Sequence, residues 1–142
     1  MTAKSNLNQP ANNSFVDSWD VPVNANFGYI DSGFGGTTSS ISLAAGNYTL
    51  SANEARNLAI LISGTLSANR TLTFPAVGGF WIINNTTVAG TYTVTAQTGV
   101  GNTLIIPPDG LSIIYSNGTN MYLADSAGVP ASTNYTAAVA LG

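Results

Sequence analysis

Thr91-Tyr92-Thr93-Val94-Thr95-Ala96 alternates hydroxyl-bearing and larger or apolar side chains without a break. A period of two is the mark of a β-strand with one face buried and the other wet. Working outward, Tyr48-Thr49-Leu50-Ser51 and Thr71-Leu72-Thr73-Phe74 alternate in the same way. Residues 58–62 and 80–83 are continuously apolar, which predicts strands covered on both faces. Residues 104–106, 111–115 and 121–123 complete a series that recurs about every ten residues with Gly, Asn or Pro between. That pattern predicts an all-β fold, a compact antiparallel sandwich or barrel of short strands.

Two local signals punctuate the series. Ser116-Asn117-Gly118-Thr119 lies between the last two runs, and Asn-Gly is the pair that a type I′ hairpin turn selects. Ser51 and Glu54 have the spacing of a capping box, which predicts one short helical turn before the apolar run at 58–62.

The flanks have a different texture. Residues 1–40 are polar and rich in Asn and Gly, with Phe15, Trp19, Phe27, Tyr29 and Phe34 spaced at neither a helical nor a strand period. Pro10 and Pro22 discourage helix. This segment is expected to be an extended N-terminal arm, with Gly33, Gly35 and Gly36 as a flexible link to a β-domain over 41–125. Residues 126–142 are small and Ala-rich, a tail that orders only along a neighbour.

Composition narrows the function. Only 6% of the 142 residues are charged, against roughly 25% in an average soluble protein. Yet 44% are hydrophobic, so the chain is not a disordered one. A surface of Ser, Thr and Asn carries little repulsion between copies, and burial in an assembly is the natural reason for it. The basic residues are Lys4, Arg56 and Arg70, too few for phosphate-backbone binding, so no nucleic-acid partner is expected. The first ten residues hold no apolar run and the longest one is too short to span a bilayer, which points to synthesis in a cytoplasm without a membrane anchor.

The chain has no Cys and no His, so thiolate metal sites and the common activated nucleophiles are missing. The carboxylates are Asp17, Asp20, Asp31, Glu54, Asp109 and Asp125, and each has an adequate structural role in a turn or a cap. No acid, base and orienting group can be named together, so the expectation is a non-enzyme without cofactor or metal. Trp19, Trp81 and Tyr115 are able to stack on sugars; Trp81 sits in the apolar run Phe80-Trp81-Ile82-Ile83 and reads as core, whereas Trp19 is freer.

The order of motifs resembles a known group. Ser18-Trp19-Asp20-Val21-Pro22-Val23-Asn24-Ala25-Asn26-Phe27, then Ile30-Asp31 and Phe34-Gly35-Gly36-Thr37, look like a recurring opening of tailed-bacteriophage virion proteins of the tail-fibre-like or capsid-decoration type. Arg70-Thr71-Leu72-Thr73-Phe74-Pro75, Trp81-Ile82-Ile83-Asn84-Asn85-Thr86-Thr87 and Ile114-Tyr115-Ser116-Asn117-Gly118-Thr119-Asn120 continue the likeness, which covers residues 9–125. The resemblance implies a virion structural protein, commonly trimeric, attached through its N-terminal segment. Its location would be the virion, after synthesis in the host cytoplasm. Long fibres continue into a shaft and a receptor-binding tip, whereas this chain stops soon after the module, which suits a short fibre, an adaptor or a decoration protein.

The expected partners are therefore other copies of the chain, as a homotrimer in which a neighbour covers the runs at 58–62 and 80–83, and a second virion protein of capsid or tail. Trp19, Phe27 and Phe34 are the expected docking anchors, with Val21 and Pro22 holding the chain extended between them. The alternative is a module that binds a host-surface glycan.

Overall fold

The computed structural model describes residues 7, 8, 11–13 and 15–124. The elements are α1 (Asp20–Gly35), β1 (Ile41–Ser42), β2 (Tyr48–Thr49), α2 (Ala52–Arg56), β3 (Ala59–Thr65), β4 (Arg70–Thr73), β5 (Gly78–Val88), β6 (Val94–Gln97), β7 (Leu104–Ile106), β8 (Gly110–Asn117) and β9 (Met121–Leu123). The tail at 126–142, together with Asp125, lies outside the described residues.

The β-strands form two sheets, ordered β1-β3-β5-β8-β9 and β2-β4-β6-β7. From β1 to β6 the chain crosses from one sheet to the other at every step. Each strand then lies parallel to the one two steps earlier, with paired residues 21 to 24 positions apart. The first two-thirds of the domain is thus a short coil of stacked turns. Strands β7, β8 and β9 close it with antiparallel pairing. The all-β character matches the sequence reading, and the purely antiparallel sandwich or barrel does not. Strands every ten or so residues suit both arrangements, because period two says which face is buried and not which strand is the neighbour.

Polar side chains join successive turns of the coil. Asn47 Oδ1 accepts from the Thr71 N–H and Asn69 Oδ1 from the Thr93 N–H, both at 3.0 Å. The Thr71 and Thr95 hydroxyls meet at 3.3 Å on the outer face of the four-stranded sheet. Arg70 donates from Nε to the Leu43 carbonyl and from a terminal nitrogen to the Ala44 carbonyl, pinning the corner between β1 and β2. This is how Asn and Thr replace charged residues here.

The core lies between the sheets. Ile41, Ile60, Ile62, Trp81, Ile83, Ile114 and Met121 face Leu72, Phe74, Val94, Ala96 and Ile106, all buried. Strands β3 and β5 are covered on one face only: Ile60, Ile62, Trp81 and Ile83 point inward, while Phe80 is exposed and Leu61 and Ile82 are half-buried. Among the described residues the second face of these strands is covered only in part.

The capping box is present as expected, Ser51 Oγ accepting from the Glu54 N–H and Glu54 Oε2 from the Ser51 N–H. The hairpin after β8 is present, but its turn is not type I′. Ser116 pairs with Met121, and the Asn117 N–H donates to the Asn120 carbonyl, which leaves Gly118-Thr119 as the two-residue loop. Gly118 has φ +95°, and neither Asn117 nor Thr119 is in the positive-φ region. Glycine first with an ordinary residue second is the type II′ pattern. Asn117 instead supplies its side-chain oxygen to the Thr119 and Asn120 N–H groups. Gly118→Val places a β-branched residue at positive φ, a strain of about 1–3 kcal/mol. We expect the melting temperature to fall by at least about 5 °C, and an unchanged value would show that the turn relaxes freely.

Candidate docking site

The five expected docking residues do not lie on an extended arm. Trp19 is the N-cap of α1, and Val21, Pro22, Phe27 and Phe34 lie within it. Proline is tolerated in the first turn because the first four N–H groups of a helix have no intrahelical acceptor. Asp20 favours the same end by facing the positive pole of the helix. Gly33 and Gly35 are helical and Gly36 is the C-cap, so the flexible link is also corrected. Gly36 is required there, since a Cβ would run into the Ser32 backbone and the Asn57 side chain.

The helix is attached at its C-terminal end. The Ser32 carbonyl accepts from Gly36 and Leu58, and the Gly36 carbonyl accepts from Ala59 at the start of β3. The Arg56 guanidinium lies 3.9 Å from the centroid of the Tyr29 ring, a cation–π contact. Nearer the other end, Asn26 exchanges two hydrogen bonds with the Asn8 backbone.

Trp19, Val23, Phe27, Ile30 and Phe34 follow one another at steps of four, four, three and four, so they form one stripe along α1. In a helix folded onto its own domain such a stripe faces the core. Here Trp19, Val21, Phe27 and Phe34 are 59–82% exposed, and of the five expected docking residues only Pro22 is buried. Trp19, Pro22 and Val23, together with Ala11, Asn12, Asn13, Phe15 and Val16, line a cavity of about 450 Å³. Asp17, Asp20 and Asp31 lie beside the stripe, and the last turn of α1 carries no basic residue. This surface suits an apolar partner pocket with a neutral or basic rim.

The remaining candidates are dispersed. Glu54 is committed locally, its Oε2 accepting from Ser51 and its Oε1 from the Tyr48 hydroxyl at 2.8 Å. The Ser51 hydroxyl, followed by the Ser51 N–H, holds the Glu54 carboxyl below its usual range, and the same carboxylate pushes Tyr48 upward. Asp109 occupies a positive-φ position (+55°) in the turn before β8. Among the described residues no group of three or more acidic side chains could hold a metal, and no helix is long and apolar enough to cross a membrane. Trp81 is fully buried, as expected of core. Tyr115 is exposed on the outer face of the five-stranded sheet and stacks on Tyr122, centroids 6.0 Å apart and rings inclined by 24°. Of this surface the sequence reading singled out Tyr115 alone, and not Tyr122, Leu111 or Ile113.

No protein-family model, curated protein or solved structure matches this chain.

Proposed function

We propose that the chain is a non-catalytic structural protein of a bacteriophage particle, a homotrimeric fibre-like or decoration subunit that attaches to a capsid or tail protein through α1. The observation that carries the docking part is the outward apolar stripe of α1, since a large aromatic kept in water gains most from a partner's pocket. The phage assignment rests on the motif order over residues 9–125.

The test is incorporation into particles. Trp19→Ala with Phe27→Ala removes two exposed anchors, and one interface hot spot alone is worth about 2 kcal/mol, or roughly 30-fold in affinity. We expect incorporation to fall by at least that factor, with the β-sheet circular dichroism and its melting transition unchanged. Normal incorporation sinks the docking helix. Loss of the cooperative transition would mean that α1 completes the domain core instead.

The second reading is recognition of a host-surface glycan, favoured by the exposed Tyr115 and Tyr122 pair. Binding of bacterial surface polysaccharides, lost in Tyr115→Ala, would support it.

A further inference from the structure

The alternation along β8 is inverted. Ser112, Ile114 and Ser116 point inward and are buried, while Leu111, Ile113 and Tyr115 point outward. A strand facing water would place its serines outside and its aliphatics inside. The cross-strand register extends the outward row on both sides. Phe80 of β5 stands opposite Tyr115, Ile82 opposite Ile113, and Tyr122 of β9 opposite Tyr115. Leu111, Ile113, Tyr115, Tyr122 and Phe80 are each 45–72% exposed.

This geometry points to a self-association interface: we infer that the outer face of β5, β8 and β9 is buried against further copies of this chain. The inference names the contact for the oligomer proposed above and so rests on that reading. In a closed oligomer every copy turns the same face toward the shared axis.

Area, charge and edges support this occupant. With aromatic side chains spanning about 150–250 Å² each, the five exposed residues present on the order of 500 Å² of contiguous apolar surface, against about 800 Å² per partner in a standard interface. The serines, threonines and asparagines around it can supply the polar rim. No charged residue occupies an outward position on β5, β8 or β9, so one copy meets another without repulsion. A foreign partner selected by charge would find nothing to read there.

The alternative route to assembly, adding a strand to a sheet edge, has little backbone to use. Edge strands β1 and β2 are two residues long, and β7 and β9 three. The edge of β9 is further occupied by Asn102, whose side chain accepts from the Met121 N–H and donates to the Met121 carbonyl.

The experiment is light scattering coupled to size exclusion on the full chain at tens of micromolar. Wild type should run at a multiple of its 14.5 kDa chain mass. Leu111→Lys and Ile113→Lys alter outward side chains, so each should keep the wild-type circular dichroism spectrum and a cooperative melting transition, at a lower temperature because association no longer stabilises the fold, while running at 14.5 kDa. Phe34→Lys on α1 is the comparison and should stay oligomeric. If both sheet variants remain oligomeric and Phe34→Lys does not, the inference about this face fails while self-association stands. A monomeric wild type overturns both. A monomer that binds bacterial surface polysaccharide and loses it in Tyr115→Ala assigns the face to a glycan, which also overturns the inference.

Discussion

Trp81→Ala will destabilise the fold by about 3–5 kcal/mol, a large share of the 5–15 kcal/mol by which a domain usually stands. Among the described residues Trp81 is the largest fully buried side chain, and it lies on the inner face of β5, the longest strand of the five-stranded sheet. Its ring packs against Phe74, which follows β4 at the other sheet, with centroids 4.9 Å apart and planes at 56°. Its Nε1 donates to the Ala55 carbonyl at 2.7 Å, so the same residue fastens α2 to the core. Alanine removes the ring, leaves a cavity between the sheets, and deprives a carbonyl near the end of α2 of its partner. Trp81→Phe separates these effects. It keeps an aromatic ring and loses the donor, and should cost about 1–3 kcal/mol. Urea denaturation with matched slopes measures both. A loss below about 1.5 kcal/mol for the alanine variant would contradict the role of Trp81 in joining the sheets.

The strands were legible because their signal is local. Period two along β6, the apolar runs of β3 and β5 and the Asn-Gly pair after β8 each announce an element from within a few residues. The capping box of α2 was legible for the same reason, since both of its bonds lie within Ser51 and Glu54. Partnership between strands is a different kind of information. The coil depends on offsets of 21 to 24 residues, and its turns share only brief features such as the Asn47 and Asn69 side chains that reach the next turn. Nothing local distinguishes that path from an antiparallel meander.

The candidate docking segment shows the opposite failure. Read through its aromatics alone, the region around Trp19 has no period, because Tyr29 belongs to the face that meets Arg56. Adding Val23 and Ile30 and setting Tyr29 aside reveals the helical stripe. Proline and three glycines within Asp20–Gly35 lower helix propensity, and Pro22 is harmless only because it falls in the first turn. On β8 the apolar outward row was hidden by Ile114, which makes residues 111–115 look uniformly apolar apart from Ser112. Inversion becomes visible only once Ser112 and Ser116 are known to be buried.

Of those inward serines, Ser112 stands opposite Ile83, two residues from the inward-facing Asn85 where the other large effect is expected. Asn85, fully buried on the inner face of β5, donates from Nδ2 to the Pro107 carbonyl at 3.0 Å, with the Ile106 carbonyl at 3.5 Å. Its Oδ1 accepts from the Thr87 N–H at 3.0 Å and the Thr87 hydroxyl at 2.7 Å. One side chain thereby holds the point where the chain leaves β7 in one sheet and turns toward β8 in the other. Asn85→Leu leaves two donors and two carbonyls without these bonds. At about 1–3 kcal/mol for each unsatisfied buried group, partly relieved by relaxation, the loss should be about 3 kcal/mol. Thr87→Val removes one stranded donor in advance and should cost about 1 kcal/mol alone. Because the two residues share their bonds, the double variant should lose less than the sum of the single losses, by about 0.5–3 kcal/mol. Denaturant titration of the four proteins of the cycle measures this coupling. Additive losses would mean that Thr87 finds another acceptor, and that Asn85 holds the β7–β8 connection alone.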